Sequence, residues 1–329
     1  MNDSRALRVA VIGATGLVGR EVVALLEERS FPVGSLALFA SSASVGETLD
    51  FGEEARPVNA LPPELPEVDV AFLCASAEVS RDVAAKLADG GALVIDLAPG
   101  DVDQASLLLG AADLGAVART ARGGLWVRVP DPSTRLIVTP FRALGAGLEP
   151  IRVVATVLLS ASAFGRAAVE RLSEESIALL NLREASADGA PQEAFCCTPL
   201  ASRSSAVTRV SAEVAALVKL RTPIAIQAIR APMFHGHAAS LSLEFGSVVE
   251  IDRLRRVFRE APSLVVAAEG ADTSVSTLDV IGVEAIHVVG LCQDERDPCW
   301  AHFWTLADNV RLGAALAAVS LAEGILLKH

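Results

Sequence analysis

The chain opens with an apolar run, Leu7–Ile12, that is typical of a buried parallel strand. A glycine-rich turn follows at residues 13–19, and residues 21–29 then carry apolar side chains at helical spacing. The same patterns predict further strands at residues 36–40, 68–73 and 92–96, with a helix over residues 79–89. Strands that alternate with helices predict a Rossmann-like, doubly wound parallel sheet with right-handed crossovers.

The pattern changes after residue 150. Long strands are predicted at residues 151–159, 224–230, 238–245 and 282–291, with helices at 166–180 and 309–327 and an irregular stretch at 182–205. Long strands beside few helices indicate an α+β domain with a mixed or antiparallel sheet, one face of which needs covering by a second copy. We therefore place a dinucleotide-binding-type domain at residues 1–134 plus 310–329, and a dimerisation or substrate-type domain at 135–309.

A short apolar run at residues 135–138 predicts a strand that ends at Thr139-Pro140-Phe141-Arg142, with a helix opening over residues 143–146. A strand-to-helix turn aims one side chain and free backbone N–H groups at a single point, which suits a reactive thiolate. Arg142 occupies that position instead. Its guanidinium stays protonated and has no lone pair with which to attack.

Composition narrows the classes of function. The 329 residues are 52% hydrophobic and carry a net charge of −12, which argues against nucleic acid or an anionic membrane as partner. No apolar run reaches the roughly 18 residues of a membrane span, and the N-terminus shows no signal-peptide pattern, so we expect a cytoplasmic protein. The five cysteines have no metal-ligand spacing, and no metal is expected.

The glycine-rich turn has the spacing of a dinucleotide site. Gly13, Gly16 and Gly19 would let the backbone approach a pyrophosphate at the start of a helix, with Thr15, Leu17 and Val18 completing the loop. The alternative is a merely tight turn. After the second strand, Ser41 and Ser42 offer hydroxyls, but no Lys or Arg occurs between Arg29 and Arg56 to hold a 2′-phosphate. We expect NADP affinity to be weak or lost.

Arg230 and His237 flank a predicted turn seven residues apart. An arginine and a histidine at one site suggest carboxylate recognition and acid–base chemistry, whereas the alternative is a salt-bridged arginine and a structural histidine. Arg142 and Arg230 together could form an anion site for a small acidic ligand. Arg142 could equally pair with a local acid such as Asp131.

Taken together, these segments resemble the aspartate-semialdehyde dehydrogenase family, and the resemblance covers nearly the whole chain. It is carried by residues 13–19, 38–42, 94–96, 164–172, 234–237 and 308–315. The resemblance implies NADP as cofactor, a homodimer, a role in amino-acid biosynthesis and a C-terminal helix that returns to the cofactor domain. It also implies that His237 corresponds to the catalytic acid–base and Arg230 to the substrate-carboxylate arginine.

The departures from the family cluster at the positions where catalysis and ligand binding would occur. The family carries Pro-Asn-Cys at its catalytic turn; Pro140 matches, whereas Phe141 and Arg142 replace Asn-Cys. Other departures fall at Ala43, residues 97–102, Leu159 and Ala317. The sequence therefore predicts a pseudoenzyme, a homologue with a binding or regulatory role. The alternatives are an active NAD(P)-dependent oxidoreductase acting on an aldehyde or acyl group, and a structural subunit that mixes with an active homologue.

Overall fold

The computed structural model describes residues 6–99, 106–117, 119–145, 147–184, 192–218, 222–267 and 275–327. The chain divides into two compact units. Unit 1 comprises Met1–Asp131 and Ala314–His329, and unit 2 comprises Pro132–Gly313. The sequence-based boundaries lie within four residues of these junctions.

The described residues form fifteen strands and seven α-helices. The strands are β1 (Leu7–Ile12), β2 (Val33–Ala40), β3 (Thr48–Phe51), β4 (Glu54–Ala60), β5 (Val70–Leu73), β6 (Leu93–Asp96), β7 (Ser106–Leu107), β8 (Leu125–Arg128), β9 (Arg152–Leu159), β10 (Thr198–Pro199), β11 (Ile224–Arg230), β12 (His237–Glu244), β13 (Leu264–Val266), β14 (Ile286–Gln293) and β15 (Trp300–Ala307). The helices are α1 (Leu17–Glu28), α2 (Ala77–Asp89), α3 (Pro132–Leu144), α4 (Arg166–Leu180), α5 (Ser205–Val218), α6 (Ile251–Glu260) and α7 (Ala317–Leu326).

Unit 1 contains a sheet in the order β3-β4-β2-β1-β5-β6-β8-β7, in which every described pair is parallel except β3 with β4. Helix α2 packs on the face that carries Ala71 and Leu73. Phe72 alternates to the opposite face, where its ring contacts Phe31, which follows α1 in the chain. Helices on both faces of a parallel sheet confirm the predicted Rossmann-like fold.

The C-terminal helix returns to unit 1. Helix α7 contacts α1 and β6, and Arg29 pairs with Glu323 at 2.7 Å. A π-helical segment, Arg311–Leu316, precedes it. The predicted single helix over residues 309–327 is thus two segments of different winding.

Unit 2 contains a mixed sheet in the order β10-β11-β9-β12-β15-β14-β13. Strands β11 and β12 flank a turn but do not pair with each other; β9 lies between them, parallel to β11 and antiparallel to β12. The sequence predicted few helices here, whereas α3, α4, α5 and α6 all belong to this unit. Helices α5 and α6 and the strand β15 were missed.

Residues 135–138 lie inside α3, so the predicted strand is wrong, and no helix opens at 143 because α3 ends at Leu144. Pro132 is the first helical residue, a position that proline favours. Pro140 lies within the helix and has no N–H for the carbonyl of Leu136. The hydroxyl of Thr305 donates to that carbonyl at 3.1 Å, so a tertiary contact satisfies the acceptor and the helix continues past its proline.

The two faces of the unit 2 sheet differ. Thr305 bonds to α3 and Phe303 packs against Phe258 of α6, so these side chains face the helices. Trp304, between them, lies on the other face and is 41% exposed. We call the following residues of neighbouring strands on that side the open face: Val154, Thr156, Ser240, Ser242, His302 and Trp304.

The two ends of unit 2 meet. An ideal Cβ built on Gly313 would lie 2.6 Å from the Cβ of Pro132, so glycine is required for the observed contact. The first and last residues of the unit are therefore in van der Waals contact.

Candidate functional site

His237 lies at the first turn of α3. It is the first residue of β12 and only 2% exposed, and its Nδ1 lies 3.4 Å from Oγ of Ser133. A narrow cleft of about 10 Å³ is lined there by Pro132, Arg135, His237, Asp308 and Asn309 among others. The N–H groups of a helix's first turn lack intrahelical acceptors, so this end of α3 is electropositive.

Arg142 lies at the opposite end of α3. It is in the last turn and exposed, and it lines a separate cavity of about 140 Å³ with Phe141, Leu148 and Val218. The last turn of a helix presents carbonyl groups, and a cation is favourable there. The prediction that a strand-to-helix turn seats Arg142 at the nucleophile position is therefore wrong in its structural premise.

Arg135 was not singled out from the sequence. It lies one turn into α3 and lines the His237 cleft. Burial, followed by repulsion from the Arg142 guanidinium, lowers the pKa of Arg135 to about 10. A cation whose pKa remains this high is still protonated at neutral pH.

Asn309 organises the backbone around His237. Its Oδ1 accepts from the Gly236 N–H at 2.9 Å, and its side chain also bonds to Ser162 at 2.9 Å and Ser160 at 3.4 Å. Gly236, at φ +80°, makes the turn that delivers His237 into β12. Sequence reasoning missed this role, although Asn309 lies in one of the segments that carry the family resemblance.

Arg230, the last residue of β11, is held by groups within unit 2. Its Nη1 donates to Oε1 of Glu193 at 2.6 Å, and its guanidinium lies 3.8 Å above the ring of Phe164. Leu159, at the end of β9, is its register partner. The segment from Ser160 to Phe164 thus contacts Arg230 at one end and Asn309 at the other, which links Arg230 to the His237 turn.

Glu193 is itself anchored. Its N–H and that of Ala194 donate to Oε2 of Glu175 at 2.6 and 3.0 Å, and Arg171 pairs with Glu175 at 2.8 Å. Although burial opposes it, these hydrogen bonds from Arg171 and the two N–H groups lower the pKa of the Glu175 carboxyl. The network is charged and largely enclosed.

In unit 1, the glycine loop joins β1 to α1. An ideal Cβ on Gly19 would lie 2.1 Å from the Gly13 carbonyl oxygen, so only glycine fits. Leu17 and Val18 are the first residues of α1, whose N–H groups begin the helix. The loop therefore retains the close backbone packing of a dinucleotide-binding turn.

The segment after β2 contacts that loop. Ser41 and Ser42 begin a short 3-10 turn, Ser42–Ser44, and Oγ1 of Thr15 donates to Oγ of Ser44 at 3.2 Å. Arg20 donates to the Thr15 carbonyl at 3.0 Å and pairs with Glu47 at 2.6 Å. Arg20 thus brings a cation to this segment from α1, outside the stretch between Arg29 and Arg56 that lacks Lys and Arg.

Arg128 is a second cation that the sequence pattern did not identify. It lies at the carboxyl end of β8 with only 3% exposed, donates to the Ala98 carbonyl at 2.7 Å and lies 3.8 Å from Asp96. These bonds tie it to the loop after β6. Residues 100–102 of that loop, named as a departure from the family, lie outside the described residues.

Two classes of site are absent from the part of the chain that the structure describes. No group of three or more His, Cys, Asp or Glu side chains there could hold a metal ion. None of the helices in the described ranges has the length and apolar character to cross a membrane.

Comparison with known proteins gives two family matches. The model described as semialdehyde dehydrogenase, NAD binding domain, matches residues 8–104, and that described as semialdehyde dehydrogenase, dimerisation domain, matches residues 142–312. The chain is 32% identical to the USG-1 protein homolog of Pseudomonas aeruginosa over 99% of both chains. It is 26% identical to the aspartate-semialdehyde dehydrogenase of Rickettsia bellii over 98% of both.

Solved structures agree. A probable aspartate-semialdehyde dehydrogenase from Pseudomonas aeruginosa is 32% identical with a TM-score of 0.91, and 99% of each chain is covered. Aspartate semialdehyde dehydrogenase II from Vibrio cholerae, complexed with ASA, is 25% identical with a TM-score of 0.89, covering 99% of this chain and 100% of that one. Two family models and full-length relatives leave one assignment: the chain belongs to the aspartate-semialdehyde dehydrogenase family.

Proposed function

We propose that this protein is a family member that does not form an acyl-enzyme and acts as a small-molecule-binding or regulatory homologue. The observation that carries the proposal is Pro132 at the first turn of α3, in the cleft with His237. In this position Pro130-Asp131-Pro132, rather than Pro140-Phe141-Arg142, parallels Pro-Asn-Cys. Proline has no nucleophilic atom, so a covalent thioester has no origin there.

No cysteine supplies the missing thiol from elsewhere in unit 2. All five cysteines lie among the described residues, and none lines the His237 cleft. The hydroxyl of Ser133 lies 3.4 Å from Nδ1 of His237, but this serine is only 1% exposed. A nucleophile needs to reach its substrate as well as its base, and a buried serine does not.

The second candidate is an active NAD(P)-dependent oxidoreductase on an aldehyde or acyl group. The contact between Ser133 and His237 favours it, because it keeps a hydroxyl beside a possible base, and several relatives carry the name aspartate-semialdehyde dehydrogenase.

Steady-state NADPH formation from aspartate semialdehyde, phosphate and NADP separates the two candidates. A named aspartate-semialdehyde dehydrogenase relative, assayed in parallel, serves as the positive control. We expect no turnover above background, since losing a covalent nucleophile costs up to about 10⁶-fold in rate. A turnover number of about 1 per second or more would place the protein among ordinary enzymes and refute the proposal.

We also propose that NADP binds weakly. Arg20, which bonds to the Thr15 carbonyl of the glycine loop, is neutralised by Glu47, whose carboxylate would repel a 2′-phosphate. Calorimetric titration should give a weaker affinity for NADP than a low-micromolar dissociation constant, and Glu47→Gln should tighten NADP binding more than NAD binding. Low-micromolar binding of NADP to the wild type, with clear preference over NAD, contradicts this.

The proposed assembly is a homodimer through unit 2. A match to the family's dimerisation domain over residues 142–312 supports it, as does the open face, on which Trp304 and Val154 are 41% and 39% exposed. A cytoplasmic location, which we expected from the sequence, is proposed with it.

A further inference from the structure

The guanidinium of Arg230 already has an anionic partner. Oε1 of Glu193 accepts from its Nη1 at 2.6 Å, a short charge-assisted hydrogen bond, while the ring of Phe164 covers one side at 3.8 Å. The Arg230 side chain is 27% exposed and that of Glu193 is 7% exposed. A partly exposed arginine is thus neutralised by an enclosed carboxylate of the same chain.

The backbone at Glu193 is anchored, and this restricts the position of the Glu193 carboxylate. The Glu193 and Ala194 N–H groups both donate to one oxygen of Glu175, which is fixed in turn by Arg171. Swinging Glu193 away from Arg230 would leave a buried carboxylate without its cation, which is costly. Rotation of the Glu193 side chain away from Arg230 is therefore disfavoured.

The occupied arginine changes which ligands the site can accept. A ligand carboxylate at Arg230 would lie within a few ångströms of the Glu193 carboxylate, and two like charges at that distance in a poorly solvated site repel strongly. An uncharged polar group meets no such repulsion and can still accept from the remaining guanidinium N–H groups.

We propose that Glu193 is a specificity-determining residue that occupies Arg230 in place of a ligand carboxylate, so that the site selects ligands with an uncharged polar group at this position. The inference rests on the proposed function in one respect, that the protein binds a small molecule, which would lie at Arg230 as the family resemblance implies. It replaces the small acidic ligand expected from the sequence with a neutral one.

Binding of succinate and of succinamide to the full-length protein, measured by calorimetry, tests this proposal. We expect wild-type protein to bind succinate with a dissociation constant above about 1 mM, and Glu193→Gln to bind it at least about tenfold more tightly. Succinamide binding should change by less than about threefold. Glu174→Gln removes a glutamate charge from an exposed position on α4 and should leave both affinities unchanged.

The gain in succinate affinity must depend on Arg230, so the double variant Glu193→Gln with Arg230→Gln should not show that gain. If Glu193→Gln does not fold, Glu193→Ser carries the same expectations. The proposal is overturned if the wild type binds succinate below about 0.1 mM, if neither Glu193 variant gains affinity, or if the gain survives without Arg230. None of these readouts needs turnover, so an active wild type would refute the proposed function and leave this inference standing.

Discussion

At the scale of single residues, the end of α3 that a side chain occupies decides its chemistry. Pro132 begins the helix beside His237, whereas Arg142 is in the last turn. A helix N-terminus and a neighbouring histidine lower a thiol's pKa, and a helix C-terminus raises it. We therefore infer that a thiol would be reactive at position 132 and not at position 142.

A pair of cysteine substitutions tests that assignment. We expect the new thiol of Pro132→Cys to react with iodoacetamide at neutral pH at least about tenfold faster than that of Arg142→Cys. Exposure alone predicts the reverse order, since residue 142 is the more exposed. Peptide mass spectrometry separates these sites from the five native cysteines. Equal rates, or faster reaction at 142, would contradict the assignment.

Asn309 gives a second prediction at this scale. Asn309→Ala removes the acceptor of the Gly236 N–H and the partner of Ser160 and Ser162, and the abandoned polar groups are buried. We expect a loss of about 2–4 kcal/mol in the free energy of unfolding by urea titration. Asn181→Ala, at the exposed end of α4, should lose less than about 1 kcal/mol. Equal losses would show that the buried network is not stabilising.

At the scale of elements, the glycine loop depends on contact between backbones. Gly19→Ala would place a methyl group 2.1 Å from the Gly13 carbonyl oxygen, and backbone cannot yield as a side chain can. We expect a large fall in melting temperature, from several kcal/mol of destabilisation. Gly246→Ala, whose new methyl would meet nothing nearer than 3.8 Å, is the matched control. A Gly19→Ala protein as stable as this control would rule out the observed packing.

An element could be predicted from the sequence when the pattern that specifies it lies within the element itself. β1, α1 and α4 were predicted within a few residues because their apolar spacing is local. Helix α3 was not, because its apolar run suits a strand and its Pro140 suggests an end. The hydroxyl of Thr305, which makes Pro140 tolerable, lies 169 residues from its acceptor in the chain. No local pattern contains that contact.

The candidate site, too, was predictable only in part. His237, Arg230 and the glycines were found by type and spacing, whereas the partners Glu193, Arg20 and Glu47 were not. Glu193 lies 37 residues from Arg230 and Glu47 lies 27 residues from Arg20, and charge pairing over such separations leaves no periodic signal. The sequence thus identified chemical groups but could not show which of them were already neutralised.

At the scale of the whole molecule, the open face predicts the assembly. Trp304→Glu places a charge at its centre, between Ser240 and Val289 in the register. We expect light scattering to find the wild type dimeric at micromolar concentration and this variant monomeric, because an unpaired charge in an interface core is costly. Val248→Glu, on an exposed loop, should remain dimeric. A monomeric wild type would refute the homodimer.

The contact between Pro132 and Gly313 has a consequence for how such a chain is constructed. Unit 2 is inserted into the sequence of unit 1, and its first and last residues lie next to each other. Chain termini that lie side by side tolerate domain insertion and circular permutation. Residues 132–313 could therefore be excised, or exchanged for those of a relative, by cutting the chain at these two adjacent junctions.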